Sequence, residues 1–187
     1  RFLDLIHNFI IFDKGRKKVC RYNQYYAIRR AQSRLTQKKQ GGIIWHTQGS
    51  GKTALAYYNV KSLTDYFADK DTPVKFYFIV DRLDLLEQAS EEFADRGLIV
   101  RTAQSREEMM NDIKSTVVRQ NDTGRPEIMV VNIQKFATDH QKISKKDVYN
   151  TNLRRVFFID EAHRGYAADG SFLANLLEAD KDSIKIA

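Results

Sequence analysis

The chain has 187 residues, 42% of them hydrophobic and 29% charged, enough for one sizeable core and too few for two large domains. Its net charge of +7, from 31 basic and 24 acidic residues, is a mild argument for a polyanionic partner, though solubility alone also accounts for such a balance. No apolar run approaches the roughly 20 residues a membrane helix needs. The N-terminal stretch lacks the basic start and small-residue cleavage site of a signal peptide. The single cysteine, Cys20, forms no internal disulfide and fits a reducing cytosol, so a cytoplasmic protein with no membrane partner is expected.

In chain order, residues 2–12 are apolar but interrupted by Asp4, His7 and Asn8. Residues 1–40 as a whole read as a helical lead-in. Four runs, 42–45, Val74–Val80, Glu127–Asn132 and 156–159, read as strands buried on both faces, with a weaker one at 98–102. Pro73 and Pro126 each stand just before such a run, where proline is tolerated. Between the runs lie helical patterns. Lys52–Ala68 carries Leu55, Tyr58, Val60, Leu63 and Phe67, and Leu83–Asp95 carries Leu85, Leu86, Ala89 and Phe93. The segment 105–118 opens with Ser105 and Glu108 at the spacing of a capping box. Strand and helix alternate, which predicts one α/β domain over 41–187, its sheet mostly parallel and covered by helices on both faces. Ligands of such sheets bind outside the carboxyl ends of the strands. The chain lacks an initiator Met, and 182–187 read as a strand beginning, so it is expected to be a fragment of something longer. Lys142, Lys145 and Lys146 read as a solvated loop.

The first run leads into His46-Thr47-Gln48-Gly49-Ser50-Gly51-Lys52-Thr53. The spacing is that of the phosphate-binding loop Gly-x-x-x-x-Gly-Lys-Ser/Thr, with His46 at the first glycine's place. Thr47, Gln48, Gly49, Ser50 and Gly51 can present backbone N–H groups to phosphate oxygens. The helix that follows turns its positive end to the same anion. Lys52 can neutralise β/γ charge, and the Thr53 hydroxyl can ligate Mg²⁺. The cofactors expected are therefore ATP and Mg²⁺.

The last long run ends in Asp160-Glu161-Ala162-His163. An acidic pair at a buried strand's end is the second half of such a site. Asp160 would hold Mg²⁺, directly or through water, and Glu161 would orient and activate the attacking water. Lys52, Asp160 and Glu161 are the expected catalytic residues, with Thr53 and Asp160 at the metal. Without the phosphate loop, two carboxylates at a helix start would be ordinary surface chemistry.

This pairing resembles superfamily 2 helicases and translocases. More narrowly, Trp45 to Thr53, Arg21-Tyr22-Asn23-Gln24-Tyr25-Tyr26-Ala27, Val80 to Gln88, Asn132-Ile133-Gln134-Lys135-Phe136 and the lead-in 3–12 resemble the motor (R) subunit of type I restriction-modification enzymes. The resemblance implies the first of two RecA-like domains of a DEAH-type motor that hydrolyses ATP to pull duplex DNA. It implies that methylase and specificity subunits are partners, and that a second RecA-like domain bearing an arginine finger completes the site. The family's nuclease domain lies before the motor. No Pro-Asp dipeptide occurs here, so cutting is not assigned to these residues.

By the same resemblance Gln24 reads adenine, which a carboxamide can do by donating to N7 and accepting from the N6 amine. A Gln24 that merely faces solvent from a Tyr-rich helix is the alternative. Arg82, Gln134 and Lys135, just after strands, would meet the DNA backbone. Otherwise Asp81 caps the next helix and Arg82 forms a surface ion pair. His163 would relay nucleotide state, or be a structural histidine. A nucleotide-gated DNA clamp and an RNA helicase domain are the competing functional readings.

Overall fold

The computed structural model describes residues 2–38, 41–44, 51–118, 124–136, 153–162, 171–180 and 182–187. The lead-in is α1 (Phe2–Phe9), an antiparallel hairpin of β1 (Ile10–Asp13) and β2 (Arg16–Val19), then α2 (Tyr22–Lys38). It is thus not wholly helical. The hairpin turns on Lys14-Gly15, both at positive φ (50° and 73°), the left-handed pair that matches the twist of two short strands. Next come α3 (Lys52–Ala68), β3 (Val74–Val80), α4 (Leu83–Asp95), β4 (Ile99–Thr102), α5 (Arg106–Lys114), β5 (Glu127–Asn132), a 3₁₀ turn (Ile133–Phe136), β6 (Arg154–Ile159), α6 (Phe172–Ala179) and β7 (Ile184–Ile186).

Strands β3 to β7 form one parallel sheet in the order β4-β5-β3-β6-β7. Alternate side chains go to opposite faces. Phe76, Phe78 and Val80 of β3, with Val130, Val156 and Phe158, meet Val60 and Leu63 of α3 and Phe93 of α4. Tyr77 and Ile79, with Val131, Phe157 and Ile159, meet Met109 and Ile113 of α5 and Leu173 and Leu176 of α6. All seven residues of β3 are buried, which is why its sequence runs apolar rather than alternating. The expected α/β architecture, with a parallel sheet covered on both faces, is the one observed. A third cluster (Phe9, Ile11, Ile28, Leu55, Tyr58) seats the lead-in on α3.

Segment 41–44 pairs with β7 through Gly42 N–H to Lys185 O (2.8 Å), Ala187 N–H to Gly42 O (3.0 Å) and Ile44 N–H to Ala187 O (2.7 Å). It registers as a bridge at Gly42 opposite Ile186 rather than a full strand, and Trp45 lies outside the described residues. A Cβ on Gly41 would fall 1.8 Å from the Lys185 carbonyl, so this close approach requires glycine. The helix expected over 105–118 ends at Lys114, and Ser115 is extended (φ −65°, ψ 135°). The Ser115-Thr116-Val117-Val118 run, two of its four residues valine, resists helical continuation. The capping box holds in part: Ser105 Oγ accepts from Glu108 N–H (3.2 Å), while Glu108 Oε2 accepts from Gln104 N–H (2.7 Å). Among the described residues no helix is long and apolar enough to cross a membrane.

Candidate functional site

The sheet order sets the geometry. Segment 41–44, which feeds the glycine-rich loop, is separated from β6 by β7 alone. Neighbouring strands lie about 4.8 Å apart, so segment 41–44 and β6 run roughly 10 Å from each other. The register places Ile79 level with Ile159 and Val80 level with Asn132. The segments after β3, β5 and β6 therefore emerge on one edge of the sheet.

Gly51 is the N-cap of α3, at φ 83° and ψ 48°. Only glycine enters that left-handed region without strain. A Cβ there would also lie 2.7 Å from Gln24 Nε2. Lys52, the first residue of α3, turns its amine to the acidic pair, with Nζ 2.7 Å from Glu161 Oε1 and 3.9 Å from Asp160 Oδ1. All three side chains are partly screened from water, at 32% exposure for Lys52 and 19% for each carboxylate. Asp160 continues the β6 ladder by one residue, its N–H donating to Ile79 O at 3.0 Å. Burial is the main reason its carboxyl titrates above the ordinary aspartate range. Lys52 pulls it down, and Glu161 and Asp81 push it up. Glu161 sits at φ 51°, a left-handed conformation that non-glycine residues rarely hold. An apolar cavity of about 50 Å³, floored by Leu55, Phe78 and Phe158, lies beneath Lys52 and Asp160.

Gln24 is buried rather than solvent-facing. Its Oε1 accepts from Arg21 N–H (2.9 Å), and its Nε2 donates to Gly51 O (3.2 Å). It is thus fastened to Gly51, at the start of α3. A cavity of about 390 Å³ opens on the adjoining side of α2, lined by Asn23, Tyr26, Arg30, Arg34 and Ile43. Thr47, Gln48, Gly49, Ser50 and His163 lie outside the described residues, as does the lysine loop 142–146.

The structure separates the remaining expected residues. Arg82, not Asp81, occupies the N-cap position of α4, with no side-chain cap. Its guanidinium is paired bidentately with Asp84, at 3.1 and 2.7 Å, the surface ion pair named above as the alternative. Lys135 donates to Gln104 Oε1 (3.1 Å), and the Gln134 N–H is held by Asn132 Oδ1 (2.9 Å). Arg82, Gln134 and Lys135 all lie on the edge shared with Asp160. Asp81, named above only as a helix cap, is buried after β3 and bears electrostatically on Asp160. One neighbour was not singled out in the sequence: Gln104, after β4, fastens Lys135. Strand-end position was the only signal pointing to it.

A model of the SWI2/SNF2 ATPase family matches residues 23–187. Among curated proteins, the chain is 29% identical to a Methanocaldococcus jannaschii protein named putative type I restriction enzyme MjaVIIIP endonuclease subunit, over 94% of this chain and 19% of that protein. It is 34% identical to the Staphylococcus aureus type I restriction enzyme SauCOLORF180P endonuclease subunit, over 78% of this chain and 14% of the relative. With the Haemophilus influenzae type I restriction enzyme HindI endonuclease subunit the figures are 31%, 87% and 16%. The chain therefore spans less than a fifth of the length of these relatives. Among solved structures, a nuclease-deletion mutant of the type ISP restriction-modification enzyme LlaGI in complex with a DNA substrate mimic aligns with a TM-score of 0.56, over 91% of this chain and 17% of that one. At 16% identity this is a likeness of fold. The family match runs from the first turn of α2 through the phosphate loop and the acidic pair to β7, and the chain belongs to the SWI2/SNF2 ATPase family.

Proposed function

We propose that this chain is the ATP-binding half of an ATP-dependent duplex-DNA translocase, the motor of the R subunit of a type I restriction enzyme. The observation that carries the reading is the convergence of Lys52, at the start of α3, with Asp160 and Glu161, at the end of β6. Family membership and the names of the relatives support it.

In this reading Thr47, Gln48, Gly49, Ser50 and Gly51 wrap the phosphates with backbone N–H groups, and Gln24 reads adenine while bracing Gly51. Lys52 leaves Glu161 to meet the β/γ oxygens. Glu161, released, accepts the proton of the attacking water. The donor set at the metal position, the Asp160 carboxylate and the Thr53 hydroxyl, is all oxygen and fits Mg²⁺. When bound, that ion neutralises charge on the transferring phosphoryl group. His163 relays nucleotide state. Arg82, Gln134 and Lys135 meet the DNA backbone, Arg82 by exchanging Asp84 for phosphate. The second RecA-like domain and the methylase and specificity subunits complete the machine. Without the second domain's trans charge, worth several orders of magnitude in rate, this chain alone binds ATP and turns it over very slowly.

The test is steady-state ATP hydrolysis by the chain with Mg²⁺, with and without duplex DNA, beside Lys52→Ala. The expected result is no turnover above the control, with fluorescent-nucleotide binding that only the wild type shows. DNA-stimulated hydrolysis abolished by Lys52→Ala would mean that the chain completes its own site.

A further inference from the structure

We propose that Phe172 is a positioning residue that couples the acidic nucleotide loop to the two segments on the strand-end edge. This rests on the reading of that edge as the DNA face.

Phe172 is the first residue of α6 and is 1% exposed. Its ring meets both segments. The Phe136 ring stands edge-on to it, with centroids 5.3 Å apart and planes at 67°. The Arg106 guanidinium lies over it, with Cζ 5.4 Å from the centroid. Phe136 directly follows Gln134-Lys135 in the 3₁₀ turn, and Arg106 is two residues beyond Gln104. On the solvent side the same two segments are tied by Lys135 Nζ donating to Gln104 Oε1 at 3.1 Å. A hydrogen bond above and one aromatic ring below thus make the two segments a single unit.

The buried cluster that holds the ring also reaches the residues on either side of the acidic pair. Phe172 shares a buried cluster with Ile159, and Ala162 packs against that cluster. These two residues flank Asp160 and Glu161. Glu161 is held at φ 51° while its carboxylate is paired with Lys52. When nucleotide draws Lys52 away, Glu161 loses that pairing, and any shift passes to the adjoining Ala162. Close-packed interiors respond to such shifts by changing arrangement rather than by compressing. Phe172 is where this displacement reaches both Phe136 and Arg106. By linkage, DNA bound on the edge biases the nucleotide loop to the same extent.

The experiment measures the ratio of duplex-DNA affinities of the full chain with and without a non-hydrolysable ATP analogue and Mg²⁺, by fluorescence anisotropy. The wild type is expected to show a ratio differing from one by about fivefold or more. Phe172→Leu keeps an apolar side chain but loses the ring. Arg106→Met removes the cation above it. Both are expected to bring the ratio to near one while nucleotide affinity without DNA, and the circular dichroism spectrum, stay as in wild type. Arg106→Lys keeps a cation over the ring and is expected to preserve the ratio. If Phe172→Leu does not fold, Arg106→Met decides. A folded variant lacking either contact but with the wild-type ratio overturns the assignment, as does a wild type whose DNA affinity ignores nucleotide. A wild type that binds nucleotide but no duplex DNA in either state removes the DNA reading first, and the coupling with it.

Discussion

The amine of Lys52 lies 2.7 Å from the carboxylate of Glu161, a residue 109 positions later in the chain. The lysine proposed to meet the phosphates and the glutamate proposed to activate water thus neutralise each other's charge. The pair is only partly buried, so its own contribution to stability is small. On the proposed function its consequence is for ligand binding: nucleotide competes with Glu161 for Lys52. Glu161→Gln removes the competing charge. The expected outcome is ATP binding as tight as wild type or tighter in this chain, with hydrolysis by the full-length protein lowered by about two to four orders of magnitude. Lys52→Ala is expected to lose nucleotide binding. Titration with a fluorescent ATP analogue reads the first effect and single-turnover hydrolysis the second. Weaker binding by Glu161→Gln contradicts the competition.

Asp160 gives a pH dependence. Burial holds its carboxyl above the ordinary aspartate value of 3.8. A folded-state value raised in this way means that the folded protein binds the proton more tightly. Asp160's own contribution to the stability of the ligand-free fold therefore falls as pH rises from 3.8 through the raised value, then levels off. Asp160→Asn should accordingly be slightly more stable than wild type at neutral pH, by thermal melting. At the proposed metal position Mg²⁺ needs the carboxylate. Affinity for Mg²⁺–nucleotide should fall by about tenfold per pH unit once acidification reaches the raised value, which lies above that of a free aspartate. Asp160→Asn should bind weakly and lose this part of the pH dependence. A variant retaining it would place the titration elsewhere.

Gly51 and Gln24 constrain each other. Gly51→Ala meets two costs, the left-handed φ of 83° and a methyl 2.7 Å from Gln24 Nε2. The first alone is about 1–2 kcal/mol. The second disappears in Gln24→Ala. The double variant should therefore be less destabilised than the sum of the two single changes, by about 0.5 kcal/mol or more in urea unfolding. Strict additivity would show that Gln24 yields freely and does not brace the loop.

At the opposite end of the sheet, Asp112 of α5 accepts from Tyr77 Oη (2.8 Å) and Arg101 NH1 (2.6 Å), with Lys75 Nζ 3.5 Å away. Lys75 and Asp112 are 5% and 6% exposed. Removing one partner leaves a buried charge uncompensated. Asp112→Ala should therefore lose about 3–5 kcal/mol in urea unfolding. Loss of less than 1 kcal/mol would mean that water reaches the cluster.

The sequence by itself determined the strands of the sheet and the helices α3 and α4, because each carries a local signature; α6 was not read from it. The uninterrupted apolar runs of β3 and β5, and the spacing of Leu55, Tyr58, Val60 and Leu63, follow from burial on two faces or on one. Lys52, Asp160 and Glu161, which the structure brings together, were singled out for a similar reason: the phosphate chemistry proposed for them needs those groups at fixed offsets from a strand end. The hairpin at 10–19 carried no alternation, and only the Lys14-Gly15 turn marked it. Three decisions belonged to the tertiary structure, because they depend on which segments the sheet order brings together. Insertion of β7 beside 41–44 spaces Lys52 from Asp160 and lets Lys52 reach Glu161. The docking of α2 on α3 buries Gln24 against Gly51, where sequence left it open between solvent and ligand. The placement of α6 beneath the edge brings Phe172 to Phe136 and Arg106, residues 36 and 66 positions earlier in the chain. Local patterns report the burial of a residue and the conformation of its backbone. They carry no record of the distant side chain that will share its space.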